Sequence, residues 1–118
     1  MVRKLFILRH GEAESGSKWA DFERPLTNKG RATIESQGKR LQLNKVSFDL
    51  LLSSDAKRTQ QTAMTLLQAG DWKPEITYNN DLYNAELGEV LKVLTSLDAK
   101  YQEVLLVGHN PALSELAA

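Results

Sequence analysis

Three segments of the chain place histidine or arginine side chains at or shortly after the end of an apolar run. They are Arg9-His10-Gly11, Ser53-Ser54 followed by Arg58, and Gly108-His109-Asn110. Arginine guanidinium groups bind phosphate oxygens in pairs and keep their charge at every relevant pH. A neutral imidazole is a competent nucleophile when its other ring nitrogen is held as an N–H donor. These residue types predict a phosphate-binding site in which a histidine does the chemistry.

Other common devices for phosphate chemistry are missing from the sequence. It contains no Gly-x-x-x-x-Gly-Lys-Ser/Thr loop, which disfavours a nucleotide cradle of that type. It contains no cysteine, which excludes a thiolate nucleophile and disulfide bonds. No cluster of carboxylates stands out at the spacing that metal ions need. We therefore expect neither a metal nor another cofactor, and histidine remains as the nucleophile.

Apolar runs and turn residues predict four strands that alternate with four helices. The strands are predicted over residues 5–8, 49–53, 75–78 and 103–107. The helices are predicted from Thr27 to about Leu43, from Ser54 or Asp55 to about Ala69, from Glu86 to Leu97, and from Pro111 onward. Gly70 is the expected stop signal of the second helix. This alternation predicts a three-layer α/β fold with a largely parallel sheet and helices on both faces.

The predicted sheet explains how the three segments meet. The continuous apolar run over residues 5–8 indicates a first strand that is buried on both faces. Ligands of open α/β sheets bind beyond the carboxyl ends of the strands, which is where each segment lies. We therefore expect His10, Arg58 and His109 to converge on one site, although they are far apart in the sequence.

Four segments of the chain together resemble the histidine phosphatase superfamily, which has the phosphoglycerate-mutase-like fold. They are Arg9-His10-Gly11-Glu12, the stretch from Arg24 to Gly30, residues 53–63, and Val107-Gly108-His109-Asn110-Pro111. The matches run in order from residue 5 to residue 113. The short length and the Arg24-Pro25-Leu26-Thr27 stretch are most similar to the small phosphohistidine phosphatase branch. Members of that branch remove phosphate from phosphohistidine on signalling proteins.

The resemblance implies a role for each site residue. His10 would attack phosphorus and carry the phosphoryl group, while Arg9, Arg58 and His109 hold its oxygens. Gly11 and Arg24 are further expected contacts of the phosphate. Glu86 is the nearest candidate for the proton donor that larger members use. The small branch tends to lack an obvious donor, which a labile phosphohistidine tolerates and an alkyl phosphate does not.

Length and charge limit the class of protein. The chain has 118 residues, enough for a single domain over residues 1–118, and its 15 basic and 15 acidic side chains cancel. Neither nucleic acid nor a membrane is therefore an expected partner. The apolar run near the N-terminus is too short for a signal peptide or a membrane span, so we expect a cytoplasmic protein. The chain ends at Ala118, early in the last predicted helix, which leaves open that a C-terminal segment is missing.

The leading hypothesis is a metal-independent phosphohistidine phosphatase that acts on a protein, with phosphate or sulfate as a ligand of its pocket. One alternative is a small-molecule phosphomonoesterase or mutase of the same superfamily. The sequence has little inserted length to enclose a small substrate, which favours the protein substrate. A second alternative is a non-catalytic phosphate-binding module, which would have no need for His10. Tyr83 and Trp72 are expected to be packing residues.

Overall fold

The computed structural model describes residues 2–117 and shows a parallel four-stranded sheet between two layers of helices. The strands are β1 (Lys4–Arg9), β2 (Leu50–Ser53), β3 (Glu75–Tyr78) and β4 (Glu103–Gly108). The helices are α1 (Asn28–Leu43), α2 (Lys57–Gly70), α3 (Leu87–Thr95) and α4 (Ala112–Ala117), with short 3₁₀ helices at Asp21–Glu23 and Asn80–Leu82. The predicted α/β class is confirmed. Met1 and Ala118, and with them the expectation about the end of the chain, lie outside the described residues.

The strand order aligns the three segments that carry chemistry. The order in the sheet is β1-β4-β2-β3, and each neighbouring pair is parallel. Arg9 pairs with Gly108, and Val107 pairs with Ser53. The last residues of β1, β4 and β2 therefore lie side by side. His10, His109 and Ser54, which follow these strands, emerge at the same edge of the sheet.

Alternate residues of the central strands build two separate cores. Leu50 and Leu52 of β2 pack with Val90 of α3 on one face, whereas Leu51 packs with Ile34 of α1 and α2 residues on the other. This alternation follows from the pleat, which directs successive side chains to opposite faces. The buried centre of the sheet gives the site a fixed base.

The first strand is less buried than its sequence predicts. Residues 5–8 of β1 are half-buried rather than buried, whereas β2 and most of β4 are fully covered. The reason is position, because β1 is an outer strand of the sheet and pairs with β4 alone. An apolar run therefore predicted the strand correctly but not its place in the sheet.

Helix ends show which local signals were correct. Thr27 caps α1 by accepting a hydrogen bond from the Gly30 N–H at 2.9 Å, as expected. The prediction of Ser54 or Asp55 as the cap of α2 is wrong, because the helix begins at Lys57 with Ala56 in the cap position. Gly70 is the last residue of α2, and the left-handed residue that follows is Asp71. No described helix is long and apolar enough to cross a membrane.

Candidate active site

His10 directly follows β1 and is held by the adjacent backbone. Its main-chain N–H donates to the Gly108 carbonyl at 3.1 Å, which continues the pairing of β1 with β4. Its ring Nδ1 lies 2.7 Å from the Gly11 carbonyl oxygen. Because a carbonyl can only accept, Nδ1 must carry the proton, and the lone pair of the neutral ring lies on Nε2. The fold thus selects the tautomer that a nucleophilic histidine needs.

Gly11 contributes to the site through His10. Its N–H donates to the Thr62 hydroxyl at 3.0 Å, and Thr62 in turn donates to the Arg58 carbonyl at 2.7 Å. A Cβ atom at Gly11 would meet an Ile34 side-chain carbon at 3.0 Å, so a glycine suits this close packing. Gly11 does not line the cavity beside His10. Its carbonyl orients the His10 ring, and the expected contact of Gly11 with phosphate stays a prediction.

His109 follows β4 and faces His10. The two ring centroids are 5.3 Å apart, with the planes inclined by 60°. His109 Nε2 lies 2.9 Å from the hydroxyl oxygen of Ser54, which is fully buried. The same hydroxyl oxygen accepts from the Ala56 N–H at 3.3 Å, which helps to fix its position beside the ring. The Ser54 hydroxyl therefore orients His109, and the buried Nδ1 atom of His109 has no hydrogen-bond partner.

The environment of both histidines lowers their pKa values and favours the neutral ring. Burial lowers the pKa of His10 below its usual 6.5, and the positive charges of Arg58, Arg9 and Arg24 act in the same direction against the hydrogen bond to Gly11. Burial and the neighbouring Arg58 lower the pKa of His109 to about 4. An imidazole that stays neutral near pH 7 keeps its lone pair available for attack.

Three arginines surround the histidines. A cavity of about 710 Å³ is lined by Arg9, Arg24 and Arg58 together with both histidine rings. The Arg58 side chain is buried, and its Nε atom has no hydrogen-bond partner. Such a concentration of cationic donors favours an oxyanion with several acceptor atoms. No group of side chains suited to a metal ion was found among residues 2–117.

Asp21 is the functional neighbour that sequence reasoning missed. Its carboxylate accepts hydrogen bonds from Arg24 Nε at 3.1 Å and Arg58 Nη2 at 3.2 Å. The hydroxyl of Tyr83 also donates to this carboxylate. These contacts, led by Tyr83, lower the pKa of Asp21 to about 2. The spacing of three residues between Asp21 and Arg24 was a possible signal, but nothing in the sequence pairs Asp21 with Arg58 or Tyr83.

Glu86 lies beside the same cavity, in the cap position of α3. Its main-chain N–H donates to the Glu89 carboxylate at 3.1 Å, which stabilises the first turn of the helix. Glu86 and Glu115 of α4 are among the residues that line the cavity. The structure therefore brings the sequence-predicted residues Arg9, His10, Arg24, Arg58, Glu86 and His109 around one cavity.

Fold and site together define a class of protein. It is an α/β protein with two neutral histidines and three arginines at the carboxyl edge of a parallel sheet. The family model of the histidine phosphatase superfamily, branch 1, matches residues 5–114. The chain belongs to this superfamily, as its motifs predict.

Similar proteins include both phosphatases and mutases. A SixA protein from Agrobacterium tumefaciens has a TM-score of 0.91 at 30% identity, over 99% of this chain and 75% of that one. The protein histidine phosphatase SixA complexed with tungstate has a TM-score of 0.86 at 27% identity, over 97% and 74%. A protein from a Picosynechococcus species is 33% identical over 97% of this chain and 70% of its own length. A 2,3-bisphosphoglycerate-dependent phosphoglycerate mutase from Bartonella tribocorum is 37% identical over 58% of this chain and 34% of the mutase.

Proposed function

We propose that the protein is a phosphohistidine phosphatase that works through a phosphorylated His10. The observation that carries this proposal is the hydrogen bond from His10 Nδ1 to the Gly11 carbonyl, since His10 lines a cavity together with three arginines. It supplies a neutral imidazole whose free Nε2 is next to a binding site for an oxyanion. A site built only to bind phosphate needs the arginines but gains nothing from this tautomer.

The reaction has two displacement steps. His10 Nε2 attacks phosphorus and forms a P–N bond, while the bond from phosphorus to the substrate imidazole breaks and that imidazole keeps a proton. Water then attacks the phosphorus on His10, which releases inorganic phosphate and regenerates the neutral ring. Arg9, Arg58 and His109 would hold the phosphoryl oxygens in both steps, because the transferring group carries its charge on those atoms. Arg24 would add a further contact from the loop before α1.

The proposed substrate class rests on the lack of a clear proton donor among the described residues of the site. Glu86 lines the cavity but occupies the cap of α3, where a carboxylate is also favoured by the helix dipole. An alkyl phosphate must expel an alkoxide and depends on a strong acid, whereas an imidazole leaves easily once its ring is protonated. The likeness to a protein histidine phosphatase supports the same choice. We therefore propose a phosphohistidine-bearing protein as the substrate.

Covalent labelling tests the proposed reaction directly. The protein is incubated with a phosphohistidine-bearing protein that carries radioactive phosphate, then quenched in alkali. We expect an acid-labile, alkali-stable label on the wild-type chain and none on His10→Ala. If His10→Ala is labelled as strongly as the wild type, His10 is not the nucleophile. If the wild type binds inorganic phosphate but neither takes up label nor releases phosphate, the protein is a binding module.

A small-molecule phosphatase or mutase is the second candidate, and the similarity to a phosphoglycerate mutase favours it. The match covers 58% of this chain and only 34% of the mutase, so it does not distinguish the substrates. Turnover of a phosphohistidine protein should be compared with that of sugar phosphates and phosphoglycerates. A clear preference for one of the small esters would replace the protein substrate.

A further inference from the structure

Asp21 fixes two of the arginines that line the cavity. Its Oδ1 accepts from Arg24 Nε at 3.1 Å and forms an ion pair with Arg24 Nη2 at 2.9 Å, and its Oδ2 accepts from Arg58 Nη2 at 3.2 Å. Its main-chain carbonyl accepts a further hydrogen bond from Arg58 Nη1 at 2.8 Å. Both terminal nitrogens of Arg58 are therefore bound to a single residue of the loop before α1.

Tyr83 also binds this carboxylate. Its hydroxyl donates to Asp21 Oδ2, the same oxygen that accepts from Arg58. Its ring packs edge-on against Phe22, with centroids 4.9 Å apart, and lies 5.9 Å from the guanidinium carbon of Arg58. The ring also lies 5.7 Å from that of His109. Tyr83 thus connects the 3₁₀ helix of Asp21 to both a histidine and an arginine of the site.

Resting on the proposed function, we propose that Asp21, braced by Tyr83, is a positioning residue that holds Arg58 and Arg24 ready for the phosphoryl group. An arginine has a long and flexible side chain, and fixing it before the ligand arrives reduces the entropy lost on binding. Asp21 stays charged across the working pH range, since its contacts keep its pKa near 2. Its side chain is half exposed, so it can be replaced without opening the core.

The same carboxylate also has an opposing effect on an anion. A negative charge next to the arginines repels phosphate, so its removal on electrostatic grounds alone would tighten binding. Removal of the Asp21 charge should therefore weaken anion binding if positioning dominates and strengthen it if repulsion dominates. Salt separates them, because exposed charges are strongly screened at about 1 M ionic strength, where the Debye length is about 3 Å. A positioning effect carried by hydrogen bonds persists under those conditions.

The experiment measures tungstate binding by calorimetry at low salt and at about 1 M salt. Tungstate is a tetrahedral oxyanion that the similar protein histidine phosphatase binds. Asp21→Asn removes the charge and keeps the size of the side chain. Glu23→Gln is the matched control, because it removes the same charge from the same 3₁₀ helix and Glu23 is exposed. Thermal unfolding of each variant shows that the fold is retained.

We expect Asp21→Asn to bind tungstate about tenfold more weakly than Glu23→Gln at high salt, since hydrogen bonds between charged groups position the arginines. At low salt the removed repulsion should offset part of this loss. Tyr83→Phe should weaken binding by about threefold without changing the charge. In the Asp21→Asn variant, adding Tyr83→Phe should have no further effect, because its hydroxyl acts through Asp21.

Two other outcomes would overturn the inference, and they are distinguishable. If wild-type protein binds tungstate and Asp21→Asn binds as well as or better than Glu23→Gln at high salt, Asp21 is a competing charge and not a positioning residue. The proposed phosphatase function would survive that result. If the wild type does not bind tungstate at all, the oxyanion site itself is wrong, and the proposed function fails together with the inference.

Discussion

Ser54→Ala removes the hydroxyl that orients His109 and leaves every side chain that lines the cavity unchanged. Ser54 is fully buried, and its hydroxyl oxygen lies 2.9 Å from His109 Nε2. Alanine has no group that can replace this contact, and the buried position limits access of water. The His109 ring would then lose the contact that fixes its orientation relative to His10.

The size of the effect follows from the cost of an unsatisfied buried nitrogen. Removing one partner of a buried hydrogen bond costs about 1–3 kcal/mol. If His109 binds the phosphoryl oxygens of the transition state, that loss lowers kcat/KM by about 5- to 150-fold. The free energy of unfolding should also fall, by about 1–3 kcal/mol, since the contacts of this buried hydroxyl with His109 and with the Ala56 N–H are both lost.

Ser53→Ala is the matched control for this prediction. Ser53 is the adjacent residue and is also fully buried, but its hydroxyl donates to the Ser54 carbonyl at 2.8 Å and does not contact His109. Both variants should lose stability in thermal unfolding, and Ser54→Ala should lose more, because its hydroxyl also accepts from the Ala56 N–H. Only Ser54→Ala should lose most of its phosphatase activity on a phosphohistidine protein. Equal kcat/KM values for the two variants would refute the orienting role of Ser54.

Two further predictions concern the ionisable groups of the site. The chain contains two histidines, so an NMR titration should show two imidazole signals, both with midpoints below pH 6.5. The signal of His109 is assigned by its loss in the His109→Asn variant, and its midpoint should lie near pH 4. Protonation destroys the nucleophile, so a lowered midpoint means that His10 stays competent as the pH falls below 6.5; a midpoint at or above 6.5 would contradict this environment. Glu86→Gln should leave turnover of phosphohistidine protein nearly unchanged. A general acid contributes about 10²–10⁴-fold, so a loss of that size would identify Glu86 as the proton donor.

The sequence predicted most of the fold because its local signals agree with one another. Three apolar runs and the short candidate over residues 75–78 became the four strands, and Thr27 capped α1 by accepting a hydrogen bond from the Gly30 N–H. It failed where a neighbour distant in the chain decides the outcome. The run over residues 5–8 could not show that β1 lies at the edge, because strand order depends on pairing with β4.

In the candidate site, too, the sequence predicted the local features but not the contacts between distant residues. The residue types of Arg9, His10, Arg58 and His109, placed after predicted strands, predicted a cationic pocket with a histidine nucleophile. The supporting contacts were not predictable, since Ser54 and His109 are 55 residues apart and Asp21 and Tyr83 are 62 residues apart. In sequence reasoning Ser54 is a helix cap and Tyr83 a packing residue. Their polar groups acquire partners only when β2, β4 and the loops are brought together.

The sequence by itself determined the chemical groups of this protein and their order along the chain, each group after a predicted strand. Types such as arginine and histidine define what can bind and react, and these properties do not depend on the fold. The tertiary structure alone decided which ring nitrogen of His10 is free, how far the pKa of His109 falls, and which carboxylate holds Arg58. The physical reason is that tautomer, burial and charge pairing depend on the distances between groups, and only the folded chain sets those distances.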